Sequence, residues 1–214
     1  MKNLFAALSQ LGVAISISVM TFSAAAWPQT TAESLFASAQ RKFTFHDNDG
    51  AIHDLTELIR MRPDFAPAYQ NRGLAYLDKG EIDRAIQDFN EAIHLKPDYW
   101  RAFLVRCMAY NAHGERTHVN AKGVVEETET GDYTNAIQDC SEGIRLKPDE
   151  NDLFYLRGTV YENKGEMEHA IQDFTEAIRL NPSFAEAFQR RGAVLEGRGD
   201  RVRAIRRLFG SYPA

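Results

Sequence analysis

This sequence has little of what a catalytic or metal centre requires. Only 2 of its 214 residues are cysteine and 6 are histidine. No nucleophile, base and orienting group fall at a recognisable spacing, and no metal-ligand cluster does. His113 and His118 bracket a turn, but without a third ligand at a matching spacing they read as solvent-exposed residues. Asp47-Asn48-Asp49-Gly50 hints at a calcium loop. Setting Gly50 at the required sixth position, however, puts Phe45 first and Thr56 last, where carboxylates are needed, so the segment reads as a turn and helix cap. The sequence therefore points away from an enzyme, and no cofactor or metal is expected. An excess of positive charge is also missing. With 25 Lys and Arg against 30 Asp and Glu the net charge is -5, which argues against general nucleic-acid binding.

Long apolar runs are absent except at the start. Lys2 precedes an apolar stretch from Leu4 to Phe22, and Ser23-Ala24-Ala25-Ala26 offers small residues for cleavage before Trp27. This pattern fits a secretory signal peptide over residues 1–26. The alternative is an uncleaved membrane anchor, but Ser9, Gln10, Ser16 and Ser18 interrupt the run, and a span usually needs about 20 predominantly apolar residues. No cysteine follows that could carry a lipid. The mature chain is thus expected to be periplasmic or secreted, with no membrane span.

What the sequence does have is repetition. Ala85-Ile86-Gln87-Asp88-Phe89 returns as Ala136-Ile137-Gln138-Asp139-Cys140 and as Ala170-Ile171-Gln172-Asp173-Phe174. Pro63, Pro97, Pro148 and Pro182 are 34, 51 and 34 residues apart, a 34-residue period with one 17-residue insertion. Such a period marks stacked units, each too small to bury its own apolar face. In the clearest unit, Tyr69, Arg72, Gly73 and Tyr76 keep helical spacing before a turn at Lys79-Gly80. Ala85, Phe89, Ala92 and Ile93 keep it afterwards until Pro97. Each unit is a helical hairpin.

The order aromatic, Gly, Tyr, Ala, Phe, Ala, Pro resembles the tetratricopeptide repeat (TPR) family over nearly the whole mature chain. The resemblance implies an all-α fold, a TPR-type α-solenoid of about five helical hairpins in a right-handed superhelix. After a linker at 27–31, the repeats fall at about 32–65, 66–99, 100–150, 151–184 and 185–214. The fourth positions (Leu35, Tyr69, Phe103, Phe154, Phe188), together with Phe89 and Phe174, are expected to be mostly buried. The first repeat is atypical, with Lys42 in place of an aromatic and His46 in place of the turn glycine found at Gly80, Gly131, Gly165 and Gly199. The insertion, about 114–130, is expected to leave the stack as a short β-hairpin, with strands at 116–120 and 124–130.

The resemblance also implies function. Family members receive a protein or peptide partner in a concave groove lined by the first helices of successive repeats. The corresponding positions are Phe36, Gln40 and Phe43; Gln70, Leu74 and Leu77; Arg101, Leu104 and Met108; Asp152, Tyr155, Thr159 and Glu162; and Gln189, Ala193 and Glu196. This surface runs from apolar to acidic. Members that grip a C-terminal carboxylate use lysine, arginine and asparagine, and only Asn71 and Arg101 lie in suitable regions, so such a clamp is not expected. The expected role is a non-enzymatic adaptor or scaffold, with self-association in an envelope assembly as the alternative. After Pro182 seven arginines face three acidic residues, which makes the C-terminal end a solvated cap or a docking surface for an acidic partner.

Two further expectations come from the repeat frame. Cys107 and Cys140 occupy the eighth and twenty-fourth positions of the third repeat, one on each helix. They form either a disulfide at the base of the insertion or two buried thiols. Arginine recurs at the seventh position (Arg72, Arg106, Arg157, Arg191) and aspartate at the twenty-third (Asp54, Asp88, Asp139, Asp173). Pairing each aspartate with the arginine of the next repeat leaves none unmatched, and predicts the inter-repeat pairs Asp54–Arg72, Asp88–Arg106, Asp139–Arg157 and Asp173–Arg191.

Overall fold

A computed structural model describes the backbone of residues 29–117 and 131–209 and the side chains of 32–114 and 132–199. These residues form helices throughout: α1 (Gln29–Thr44), α2 (Asn48–Met61), α3 (Ala66–Asp78), α4 (Ile82–Leu95), α5 (Trp100–Thr117), α6 (Gly131–Leu146), α7 (Asn151–Lys164), α8 (Met167–Leu180) and α9 (Ala185–Phe209). Among the described residues the fold is all-α, four hairpins and a final helix. The expected leader lies outside the described residues. Helix α1 begins at Gln29, inside the stretch expected to be linker.

The chain divides into two compact units, Met1–Pro97 and Asp98–Ala214. The first holds the hairpins α1–α2 and α3–α4, with α2 packed on α3; the second holds α5–α6 and α7–α8, with α6 on α7 and α8 on α9. The second helix of every hairpin stops one residue short of an X-Pro step, at Met61, Leu95, Leu146 and Leu180. Proline excludes the helical conformation for the residue before it and offers no N–H of its own. Turns inside the hairpins need a left-handed residue, supplied by Gly80 (φ 77°) and Gly165 (φ 87°). The first hairpin makes the same turn with His46 at φ 58°, the one non-glycine residue with positive φ among those described. Asp47 then caps α2, its carboxylate accepting from the Gly50 N–H at 2.9 Å.

The core repeats as regularly as the sequence. Ala51, Leu55 and Leu58 on α2, Ala85, Phe89 and Ala92 on α4, and Ala170, Phe174 and Ala177 on α8 are all essentially inaccessible. Their i, i+4, i+7 spacing makes one buried stripe per helix. Opposite the middle member sits a small residue. A Cβ added to Gly73 would lie 2.4 Å from the Phe89 ring, and one added to Gly158 would lie 2.9 Å from Phe174. In the third hairpin Cys107 and Cys140 hold these two places and are joined by a disulfide, with Cα atoms 5.7 Å apart.

Three expectations need correction. Residues 116 and 117, expected to open a β-strand, are the last turn of α5, because the helical pattern beginning at Trp100 meets no breaker there; residues 118–130 lie outside the description. The final repeat makes no turn at Gly199, since α9 runs unbroken from Ala185 to Phe209. Phe188 consequently is 44% exposed rather than buried, because no second helix of its own hairpin covers it. Leu35, Tyr69 and Phe154 are half-buried, while Phe103, Phe89 and Phe174 are buried.

Candidate interaction site

The arginine–aspartate forks close within hairpins, not between them. Arg72 donates from Nε and Nη2 to Asp88 at 2.8 and 2.7 Å. Arg106 forks onto Asp139 at 2.7 and 2.6 Å, and Arg157 onto Asp173 at 2.7 and 2.8 Å. The expected Asp54–Arg72 and Asp139–Arg157 pairs are replaced by hydroxyl contacts. Arg72 Nη1 donates to Thr56 Oγ1 at 3.2 Å and Arg157 Nη1 to Ser141 Oγ at 3.0 Å. Likewise Arg191 reaches Thr175 Oγ1 at 3.3 Å instead of Asp173. In place of the expected Asp88–Arg106 pair, each of these two residues forks with the partner just named. Using the Nε/Nη2 edge of the planar guanidinium for the carboxylate leaves Nη1 to donate elsewhere. The fork goes to the carboxylate across the hairpin, and the spare donor ties the hairpin to the one before it.

Matching arginines to aspartates by count misled because the first repeat has a substitute cation. Asp54 receives Lys42 Nζ at 2.7 Å. Lys42 occupies the place of the usual aromatic, so its departure from the repeat and the serine at position 38 are two halves of one exchange. Burial raises the Asp54 pKa, but hydrogen bonds from Lys42, Ser38 and His53 outweigh it and hold the carboxyl below its usual range. At Arg72 the hydrogen bonds with Asp88 dominate and raise the guanidinium above its ordinary value. The forks are structural. A depression of about 430 Å³ beside the Arg106–Asp139 pair contains none of the residues expected to line a groove.

Those residues lie on the first helix of each hairpin. In the first unit Phe36, Gln40 and Phe43 on α1 and Leu74 on α3 are half-buried. Gln70 and Leu77 on α3, which packs against α2 and α4, are buried, and they offer a ligand little surface. Asn71 is buried as well, which removes one of the two residues a carboxylate clamp could have used. In the second unit Arg101, Leu104 and Met108 on α5 and Asp152, Tyr155, Thr159 and Glu162 on α7 are all half-buried. Gln189, Ala193 and Glu196 are all exposed on α9. Helices α5 and α7 are tied together where Asn163 donates to Asn111 at 3.0 Å, and α7 and α9 where Arg190 meets Glu162 at 3.1 Å.

This second-unit surface is amphipathic and acidic at one end. Burial, and then the charge of Glu150, push the Asp152 carboxyl up to about 6. Burial likewise raises Glu150, with Lys147 and Arg101 opposing. Arg101 stacks over Trp100 at 4.5 Å, and Tyr155 packs against Phe184 at 4.9 Å. Glu150 borders the surface and buried Phe184 backs it, and they sit in the turns before α7 and α9, where a repeat frame of helix positions does not look. Among the described residues no three His, Cys, Asp or Glu side chains assemble into a metal site. His113, read as solvent-exposed, is half-buried and paired with Asp132 at 2.8 Å; His118 lies outside the description.

A helical-hairpin array with such forks and faces defines a class. The sequence model of the tetratricopeptide repeat family matches residues 66–99 and 152–184, and the fold is an all-α TPR fold. Among solved structures, the chain is similar to the MamA protein at 23% identity, covering 84% of this chain and 88% of that one, with a TM-score of 0.64. It is similar to TTC0263, a thermophilic TPR protein of Thermus thermophilus, at 18% identity, 78% and 83% coverage and a TM-score of 0.65. It is also similar to the second TPR domain of human RPAP3, determined in complex with the HSP70 peptide SGPTIEEVD, at 23% identity, 60% and 93% coverage and a TM-score of 0.51. No curated protein matches the sequence. The TPR fold is a protein-interaction module.

Proposed function

We propose that this protein is a non-enzymatic scaffold that works outside the cytoplasm and binds a peptide or helix of a partner protein. The carrying observation is the half-buried face of α5 and α7, where Leu104, Met108 and Tyr155 stand beside Asp152. Residues at partial burial have already lost part of their hydration, so an apolar ligand group displaces the rest at small cost, while each carboxylate demands a donor. The occupant that fits is an apolar segment with basic or neutral polar groups. An acidic tail of the kind bound by the RPAP3 domain meets Asp152 and Glu150 with like charge.

Extracellular placement is supported by the apolar leader-like segment and by the Cys107–Cys140 bridge, since disulfides persist mainly in oxidising compartments. No helix among the described residues is long and apolar enough to cross a membrane. A photo-crosslinking residue at Leu104 should capture a partner in the native cells, and the same residue at exposed Glu168 on α8 should not. Equal capture at both positions would refute the face, and a purified native chain starting at Met1 would refute the cleaved leader.

A further inference from the structure

Hairpins two and four dock their second helix on the first by one rule. A ring enters the gap over a glycine, Phe89 over Gly73 and Phe174 over Gly158. The aspartate preceding that ring receives the arginine preceding that glycine. Ala85 and Ala170, four residues before the rings, are fully buried and let the helices approach.

Helix α9 has the receiving half of this arrangement and, among the described residues, nothing in it. Arg191-Gly192 occupy the same two places, yet no described atom lies within 4 Å of a Cβ built on Gly192. Arg191 stacks over Phe188 at 5.5 Å and bonds only the Thr175 hydroxyl, with no carboxylate among the described residues. Phe188 and Leu195, flanking Gly192 on the same side of the helix, are 44% and 46% exposed. The described course of α9 carries the next residues away from the site. Ala204-Ile205-Arg206-Arg207-Leu208 stands in the register of the missing helix, but α9 continues straight through it. At 1.5 Å per residue, Leu208 lies about 24 Å along the axis from Gly192. Arg207, where the other hairpins have aspartate, would also set like charge against Arg191.

We propose that this face of α9 is a docking site for an acidic amphipathic helix of another polypeptide, of the form Ala-x-x-Asp-Phe, which enters as the second helix of the fifth hairpin. Its aromatic ring fills the gap over Gly192 between Phe188 and Leu195, and its aspartate takes the Arg191 fork. Charge complementarity selects it, since Arg191 at the centre of this face meets no carboxylate among the described residues. This surface is separate from the α5–α7 face, so the two proposals stand or fall independently.

The probe is a capped, fluorescein-labelled peptide with the sequence of residues 167–180, titrated with the full chain and followed by anisotropy. Binding should saturate. Exchanging the peptide's phenylalanine for alanine, or its aspartate for arginine, should each weaken binding about tenfold or more. Gly192→Leu in the protein should abolish binding with unchanged far-UV circular dichroism. Arg191→Glu should reverse the preference, favouring the peptide with arginine in place of aspartate. Absence of saturation at millimolar protein overturns the proposal, as does binding indifferent to Gly192→Leu. Binding that appears only after deletion of residues 201–214 also overturns it, since the chain's own end then covers the face. So does a concentration-dependent dimer abolished by Gly192→Leu, which makes a second copy the occupant.

Discussion

Replacing Arg157 by alanine isolates the central stabilising device of the second unit. The guanidinium forks onto Asp173, donates to Ser141, and stacks over Phe154 at 5.8 Å and Tyr161 at 6.0 Å. The side chain of Asp173 is only 8% exposed, so truncation strands a buried carboxylate, and removing one partner of a buried pair costs about 3 to 5 kcal/mol. Ser141→Ala removes a single hydrogen bond and should cost about 0.5 to 1.5 kcal/mol. Arg157→Lys keeps the charge without the fork and should fall between them. Urea unfolding followed by circular dichroism, at constant slope, gives each value. The decisive quantity is the double-mutant coupling. Arg157 with Asp173 should show coupling of more than about 2 kcal/mol, and Arg157 with Asp139 should stay within about 0.5 kcal/mol. A larger coupling to Asp139 than to Asp173 would overturn the assignment of the fork to the hairpin.

Gly158→Ala should destabilise by about 1 to 3 kcal/mol, because its Cβ meets both the Phe174 ring and the Ala170 carbonyl. Gly192→Ala should instead stabilise by up to about 1 kcal/mol in an exposed helix, and equal effects at the two sites, measured by thermal unfolding, would show that the gap over Gly192 is filled. Reduction of Cys107–Cys140, which closes a separation of 33 residues, should lower stability by about 3 to 4 kcal/mol in the chain-entropy model; an unchanged urea midpoint in reductant would contradict this. The raised folded-state pKa of Asp152, about 6 against an ordinary 3.8, makes the native state bind the extra proton. Its contribution is fully present below about pH 4 and is lost as pH rises through 6. Asp152→Asn should flatten stability across that window, and an unaltered pH profile would contradict the shift.

The sequence by itself determined the repeat and its hairpins. The 34-residue period, the Ala-Ile-Gln-Asp-Phe block and the four X-Pro steps are local signals, since helix periodicity and proline stops depend on residues a few positions apart. The X-Pro steps stand directly after the observed ends of α2, α4, α6 and α8, and the small and large members of the helix contact recur in matching places. Tertiary structure decided what was shared across the chain. Which carboxylate an arginine takes depends on which lies at the correct distance and angle for a two-pronged bond. Counting could not see that Lys42 had crossed from an aromatic place to serve Asp54. Whether Gly199 turns depends on a second helix finding enough contact to repay a bend, and α9 runs straight without it. The joining of the two cysteines required their helices to pass at 5.7 Å between Cα atoms, and the burial that separates Gln70 and Leu77 from Leu104 and Tyr155 depends on contacts made across the chain. Period and punctuation are written along the chain, whereas partners are chosen across space.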